Sequence, residues 1–122
     1  MRPSGIHHVA ICVDDADKAK AFYCDVLGFT PVSDRPAEFG PGHWLDAGGT
    51  QLHLMQVDGP NQNPGHFAVR VDDLDAVVTE ISAAGVRVDK IPHTPGAGQQ
   101  AFLRDPAGNT IELNQPELNQ PE

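Results

Sequence analysis

The chain says nearly the same thing twice. Residues 6–32 read IHHVAICVDDADKAKAFYCDVLGFTPV, and residues 65–91 read GHFAVRVDDLDAVVTEISAAGVRVDKI. Aligning His8 with His66 superimposes an alternating apolar strand, a Val-Asp-Asp turn and an Ala-containing helix closed by Gly28 or Gly85. A second stretch repeats downstream, where AGGTQLHL at 47–54 falls on PAGNTIEL at 106–113 and His53 falls on Glu112. A duplicated unit constrains a fold more than any composition does, because each copy must form the same supersecondary element and bury the same face.

Each copy predicts the order β-α-β-β-β. In the first, residues 6–13 alternate as a strand, with Ile6, His8, Ala10 and Cys12 on one face and His7, Val9, Ile11 and Val13 on the other. Asp14 and Asp15 are turn and N-cap types, and residues 16–27 show helical spacing through Ala19, Phe22, Tyr23, Val26 and Leu27. Strands are predicted over 29–32, 44–46 and 50–57, with a Pro- and Gly-marked loop at 34–41 and a Gly48-Gly49 turn. The second copy predicts strands over 65–71, 86–91, 100–104 and 110–114 and a helix over 74–84. The expected class is α+β: one domain over 1–122, made of two tandem βαβββ units at about 5–57 and 64–115, with curled mixed sheets forming a metal-binding cup. Residues 59–64 read as the linker. The repeated ELNQP at 112–116 and 117–121 reads as a frayed C-terminal tail.

The repeat also places chemistry. His8 and His66 begin corresponding strands, and His53 and Glu112 occupy corresponding positions in the closing strands. A lone histidine in a strand is usually packing or surface, but four ligand types at matched positions point to a shared metal. Three imidazoles and a carboxylate suit Zn, Ni, Co, Fe or Mn and not Ca, which prefers all-oxygen shells. Such an ion would hold a substrate chelating through adjacent oxygens and stabilise enolate charge, with Glu112 or His53 as the catalytic base. His43, Trp44, Phe102 and Arg104 are the expected pocket residues. Phe39 and Phe67 are further candidates for apolar walls, and His7 and His93 read as surface histidines.

A net charge of −9 over 122 residues argues against nucleic acid as a partner, since phosphates demand Lys and Arg. No apolar run approaches the ~20 residues needed to cross a bilayer, and no signal-like N-terminus is visible, so a cytoplasmic protein without membrane contact is expected. Cys12 and Cys24 form no CxxC pattern and read as small packing residues. Exposed sheet edges favour a homodimer.

The segments IHHVAICVDD, AFYCDVLGF, GGTQLHL, GHFAVRVDD and DPAGNTIEL together resemble the vicinal oxygen chelate superfamily, which includes glyoxalases, bleomycin-resistance proteins and extradiol dioxygenases. The resemblance covers nearly the whole chain. It implies metal ligands at His8, His53, His66 and Glu112, and a glyoxalase-like lyase or isomerase acting on a small molecule. The alternatives it leaves are a protein that sequesters a bleomycin-type antibiotic, attracted by the acidic surface, and an extradiol-type dioxygenase. The chain departs from glutathione-dependent glyoxalases, which carry Glu or Gln where His53 stands and a basic residue where Pro31-Val32 stands. A fosfomycin-type phosphonate pocket would need basic residues, for which Arg70 and Arg104 are the main candidates.

Overall fold

A computed structural model describes residues 1–61 and 63–117 and divides the chain into two compact units, Met1–Asn63 and Pro64–Glu122. In the first unit β1 (His8–Val13) leads to α1 (Ala16–Asp25), β2 (Thr30–Val32), β3 (Gly42–Asp46) and β4 (Gln51–Gln56). The second unit repeats the order with β5 (His66–Arg70), α2 (Leu74–Ala83), β6 (Asp89–Lys90), β7 (Gln99–Arg104) and β8 (Thr110–Gln115). Each unit is an open, mixed four-stranded sheet, ordered β1-β4-β3-β2 and β5-β8-β7-β6. The first and last strands of each unit pair in parallel and the remaining pairs are antiparallel.

The alternation read from the sequence decides which face is core. In β1, Ile11 and Val13 are buried while His8 and Ala10 are exposed, and in β4 Leu52 and Leu54 are buried beneath α1. Tyr23 and Ala19 of α1 close the first core together with Leu45 and Phe29. Removing Tyr23 and Leu45 completely from water contributes on the order of 2–3 kcal/mol each. The second core is built the same way from Leu74, Ile81, Ala101, Leu103, Ile111 and Leu113, with α2 over β7 and β8.

Both helices start with the same double cap. Asp15 accepts a hydrogen bond from Lys18 N at 3.0 Å, and Asp73 accepts one from Ala76 N at 3.1 Å. The last strand of each unit then supplies a glutamine. Gln56 Oε1 accepts from Ala16 N at 2.9 Å, and Gln115 Oε1 accepts from Leu74 N at 2.8 Å. Four helix-start N–H groups lack partners within any helix, so each glutamine ties its closing strand to the helix by satisfying one of them. Gln56 and Gln115 are repeat partners, which makes the device heritable with the unit.

Boundaries differ from expectation where pairing partners run out. The helices end at Asp25 and Ala83, short of the predicted 27 and 84, because the backbone bonds leave the helical pattern before Gly28 (φ 75°) and Gly85 (φ 85°), Leu27 N reaching back to Phe22 O in the first and Gly85 N tightening onto Ser82 O in the second. The strand predicted over 86–91 shrinks to Asp89–Lys90, paired only to Phe102 and Ala101. It is a sheet edge carrying Arg87, Asp89 and Lys90, and short charged edges resist pairing with other chains. The predicted tail beyond Glu117 lies outside the described residues. Among the described residues no helix is long and apolar enough to cross a membrane.

Candidate functional site

In the first unit the parallel pairing of β1 with β4 sets Ala10 beside His53, which leaves His8 one diagonal step away on the same face. The two imidazoles stack with centroids 3.9 Å apart and planes 12° from parallel. Trp44 lies directly across from His53 in the β3–β4 register and stacks on its other side at 4.5 Å, also at 12°. Three strands therefore hold a column of three parallel rings, with Phe39 tilted beside Trp44 at 6.1 Å. His8, Trp44, His53 and Arg35 are among the residues lining a cavity of about 540 Å³, a size typical of small-molecule sites.

His53 Nε2 donates to Gln51 Oε1 at 2.8 Å, which leaves the lone pair on Nδ1. Burial holds the His53 imidazole below its ordinary pKa, and the neighbouring His8, His7 and Arg35 push it the same way. A neutral imidazole is the form that binds a metal or accepts a proton. His8 contacts His7 through their Nδ1 atoms at 2.8 Å, so its Nε2 is not used in that contact.

The second unit pairs the other two ligand types. His66 Nε2 donates to Glu112 Oε1 at 2.9 Å, while Gln100 and Asn114 donate to Oε2 at 3.1 Å and 2.8 Å. Glu112 is only 6% exposed, although its strand neighbours Thr110 and Asn114 on that face are half-buried. A buried carboxylate without donors would cost several kcal/mol, and three donors remove that cost. Burial alone would raise its pKa, but the bonds from Asn114, Gln100 and His66 outweigh it and hold the carboxyl below the usual range. Phe102, directly across from Glu112, meets the His66 ring edge-to-face at 5.8 Å, in the position that Trp44 holds opposite His53.

The sign of that shift gives a pH prediction. Ionised Glu112 contributes stability that is present above the unfolded carboxylate pKa of ~4.3 and is lost as pH falls through the lower folded value. In chelator-containing buffer, Glu112→Gln is expected to lower stability by about 1–3 kcal/mol at pH 7, because its amide N–H₂ faces donors. Thermal unfolding from pH 7 to 3 should show the gap between wild type and variant narrowing below pH ~4. A gap constant across that range would show that the carboxylate charge is not what these donors hold.

The remaining expected pocket residues divide between the units. Phe102 and Arg104 line a second cavity of about 480 Å³ with Arg87 and Asp89, and Arg104 Nη1 donates to Gly108 O at 3.1 Å. His43 faces away from Trp44 by strand alternation and pairs with Asp17 of α1 at 2.7 Å. His93 and Gly96 N both engage Glu117 Oε1, at 3.1 Å and 2.7 Å. Gln51, Gln100, Asn114 and Arg35 were not anticipated. Position in the repeat could have flagged the first three, since each lies on a ligand strand or directly opposite one, whereas nothing local marks Arg35.

The donors present suit a divalent ion. An ion with bonds of ~2.1 Å places adjacent ligand atoms ~3.0 Å apart, close to the His66–Glu112 separation. His53 is neutral and His8 keeps Nε2 available. Among the described residues no group of three or more His, Cys, Asp or Glu stands together as a metal site, so the ligand types form two pairs, one in each unit.

Residues 5–113 match the family model described as Glyoxalase/Bleomycin resistance protein/Dioxygenase superfamily. The crystal structure of TnmS3, an antibiotic binding protein from Streptomyces sp. CB03234, is similar with a TM-score of 0.81 and 36% identity, covering 96% of this chain and 99% of that one. The crystal structure of a lactoylglutathione lyase from Agrobacterium tumefaciens is similar with a TM-score of 0.76 and 30% identity, covering 94% and 96%. A probable lactoylglutathione lyase of Vibrio parahaemolyticus is 31% identical over 128 residues, covering 94% of this chain and 93% of its own length.

Proposed function

Because the chain belongs to the Glyoxalase/Bleomycin resistance protein/Dioxygenase superfamily, we propose that it is a metal-dependent enzyme of the glyoxalase type, a lyase or isomerase. In this reading His8, His53, His66 and Glu112 hold one divalent ion (Zn, Ni, Co, Fe or Mn), within one chain or between two copies in a homodimer. The substrate is a small molecule presenting two adjacent oxygens. The observation that carries the reading is the repeat-matched placement of ligand types. His8–His53 and His66–Glu112 sit on equivalent parallel strand pairs, at 3.9 Å between ring centroids and 2.9 Å between donor atoms.

When bound, the ion would act as a Lewis acid on the chelating oxygens. The protein's own part is to hold and move the proton. Glu112 is held ionised and His53 neutral with its lone pair on Nδ1, so either, on releasing the ion, would be free to accept a proton from carbon next to a carbonyl. Gln100 and Asn114 keep the carboxylate oriented from the side opposite His66.

A second reading has support of its own. The likeness to an antibiotic binding protein at 36% identity, together with the aromatic column lining a cavity, favours sequestration of a small molecule. A chelating probe separates the two. Acetohydroxamate, which presents two adjacent oxygens, is expected to bind metal-loaded protein at least about tenfold tighter than chelator-stripped protein. Equal binding to both forms would sink the enzyme reading and favour sequestration.

A further inference from the structure

The first-unit cavity has a charge that the chain as a whole does not. The protein carries a net charge of −9, yet no carboxylate is among the described residues lining the cavity, and its fixed charge is the guanidinium of Arg35. Arg35 stands in the loop between β2 and β3, folded back against β3. Its Nη1 donates to Gly40 O at 2.6 Å, and its guanidinium carbon lies 5.9 Å from the centre of the Phe39 ring. The seat depends on Gly42, where a Cβ would come within 2.6 Å of Arg35 Nη2 and 2.3 Å of Leu54 O.

Arg35 Nε is closed off from solvent and has no acceptor among the described residues. A buried donor on a cation without a partner is costly, so the guanidinium is poorly compensated where it stands. One amino group bound to a single carbonyl leaves most of the charge uncompensated. Phe39, 60% exposed, and Met55, 42% exposed, supply apolar surface beside it, with Pro41 and Trp44. Asp34 and Glu38 neighbour Arg35 and Phe39 in the chain but are not among the residues lining the cavity, so the wall a ligand touches carries the cation.

We propose that this cavity takes a small organic anion with a flat apolar body, such as an aromatic carboxylate or phenolate, and that Arg35 sets the preference for negative charge. The proposal rests on reading the first unit as part of a small-molecule site. It reverses the expectation that the acidic surface selects a cationic ligand, because selectivity is decided at the wall the ligand touches.

Trp44 is the single tryptophan, so its fluorescence reports on this cavity directly. Benzoate, benzamide and benzylammonium share one ring and differ in charge. Titrated into the full-length protein, benzoate is expected to bind about tenfold tighter than benzylammonium, with benzamide between them. Arg35→Gln should abolish the preference with metal content unchanged, and Arg35→Lys should retain part of it. The titrations are run on both metal-loaded and chelator-stripped protein. An anion preference that persists after stripping and disappears in Arg35→Gln supports the proposal. Equal or tighter binding of benzylammonium by wild type overturns it even if Arg35→Gln fails to fold, as does a preference that survives Arg35→Gln. Loss of anion preference with metal content intact defeats only this inference. Absence of metal with the preference intact defeats only the enzyme reading.

Discussion

Protein purified without chelators or a histidine tag is expected to carry about one divalent ion per chain, and His8→Ala and Glu112→Ala each less than about a tenth of that. The two substitutions remove one ligand type from each unit, so loss in both is what a single shell drawn from both units requires. Atomic absorption after gel filtration reads the outcome. Metal retained in either variant would exclude that residue from the shell, and no metal in wild type after reconstitution would end the enzyme reading. Mixing the two variants then locates the shell. If two copies share it, half the dimers in an equal mixture are heterodimers with one intact site, and about a quarter of the wild-type metal returns. If each chain builds its own, none returns. The identity of the ion directs the substrate search, with zinc, nickel or cobalt pointing to lyase and isomerase assays and iron to oxygen-dependent ring cleavage.

Asp105→Ala is expected to lower the melting temperature by about 10 °C, corresponding to about 3 kcal/mol in a domain of this length. Asp105 is 5% exposed and organises the turn that leads into β8. Its Oδ1 accepts from Ala107 N at 2.9 Å and Asn109 N at 2.8 Å, and its Oδ2 accepts from Asn109 Nδ2 at 2.9 Å. Alanine would strand three donors, two of them on Asn109, which is itself 4% exposed. The repeat partner Asp46 is an internal control. It is half-buried and accepts from Gly48 N and Gly49 N at 3.2 Å each, so Asp46→Ala should cost about 1 kcal/mol or less. Equal losses at the two positions, measured by chemical denaturation, would show that burial does not set the difference. Because the turn begins the strand carrying Glu112, Asp105→Ala should also weaken metal retention.

Much of this was legible because it is local or periodic. The β-α-β-β-β order follows from strand alternation, Asp caps and Gly stops, each decided within a few residues. Strand alternation alone separated His8 from Ile11 and His53 from Leu54, so the histidine-bearing face and the core face could be told apart before folding is considered. Other features were missed because their signals are spread out or ambiguous. Gln56 and Gln115 look like ordinary strand ends until the helix they cap is folded against them. The 86–91 segment has a strand's composition, but only pairing reveals that two residues are ladder and the rest is edge.

What the sequence determined by itself is the duplicated plan: two copies of one unit, their buried faces, and four ligand types at matched positions. Tertiary structure decided how those side chains are used. The His8–His53–Trp44 column exists because β1 pairs in parallel with β4, joining residues more than 40 positions apart, and β3 pairs antiparallel with β4 across a short turn. Around Glu112, His66 is brought in the same way by the parallel β5–β8 pairing, Gln100 comes from the neighbouring antiparallel strand and Asn114 from β8 itself. Local patterning chooses which face a residue occupies. Which neighbours it meets there is fixed by pairing between distant strands, whose energetics depend on the whole sheet and core forming together.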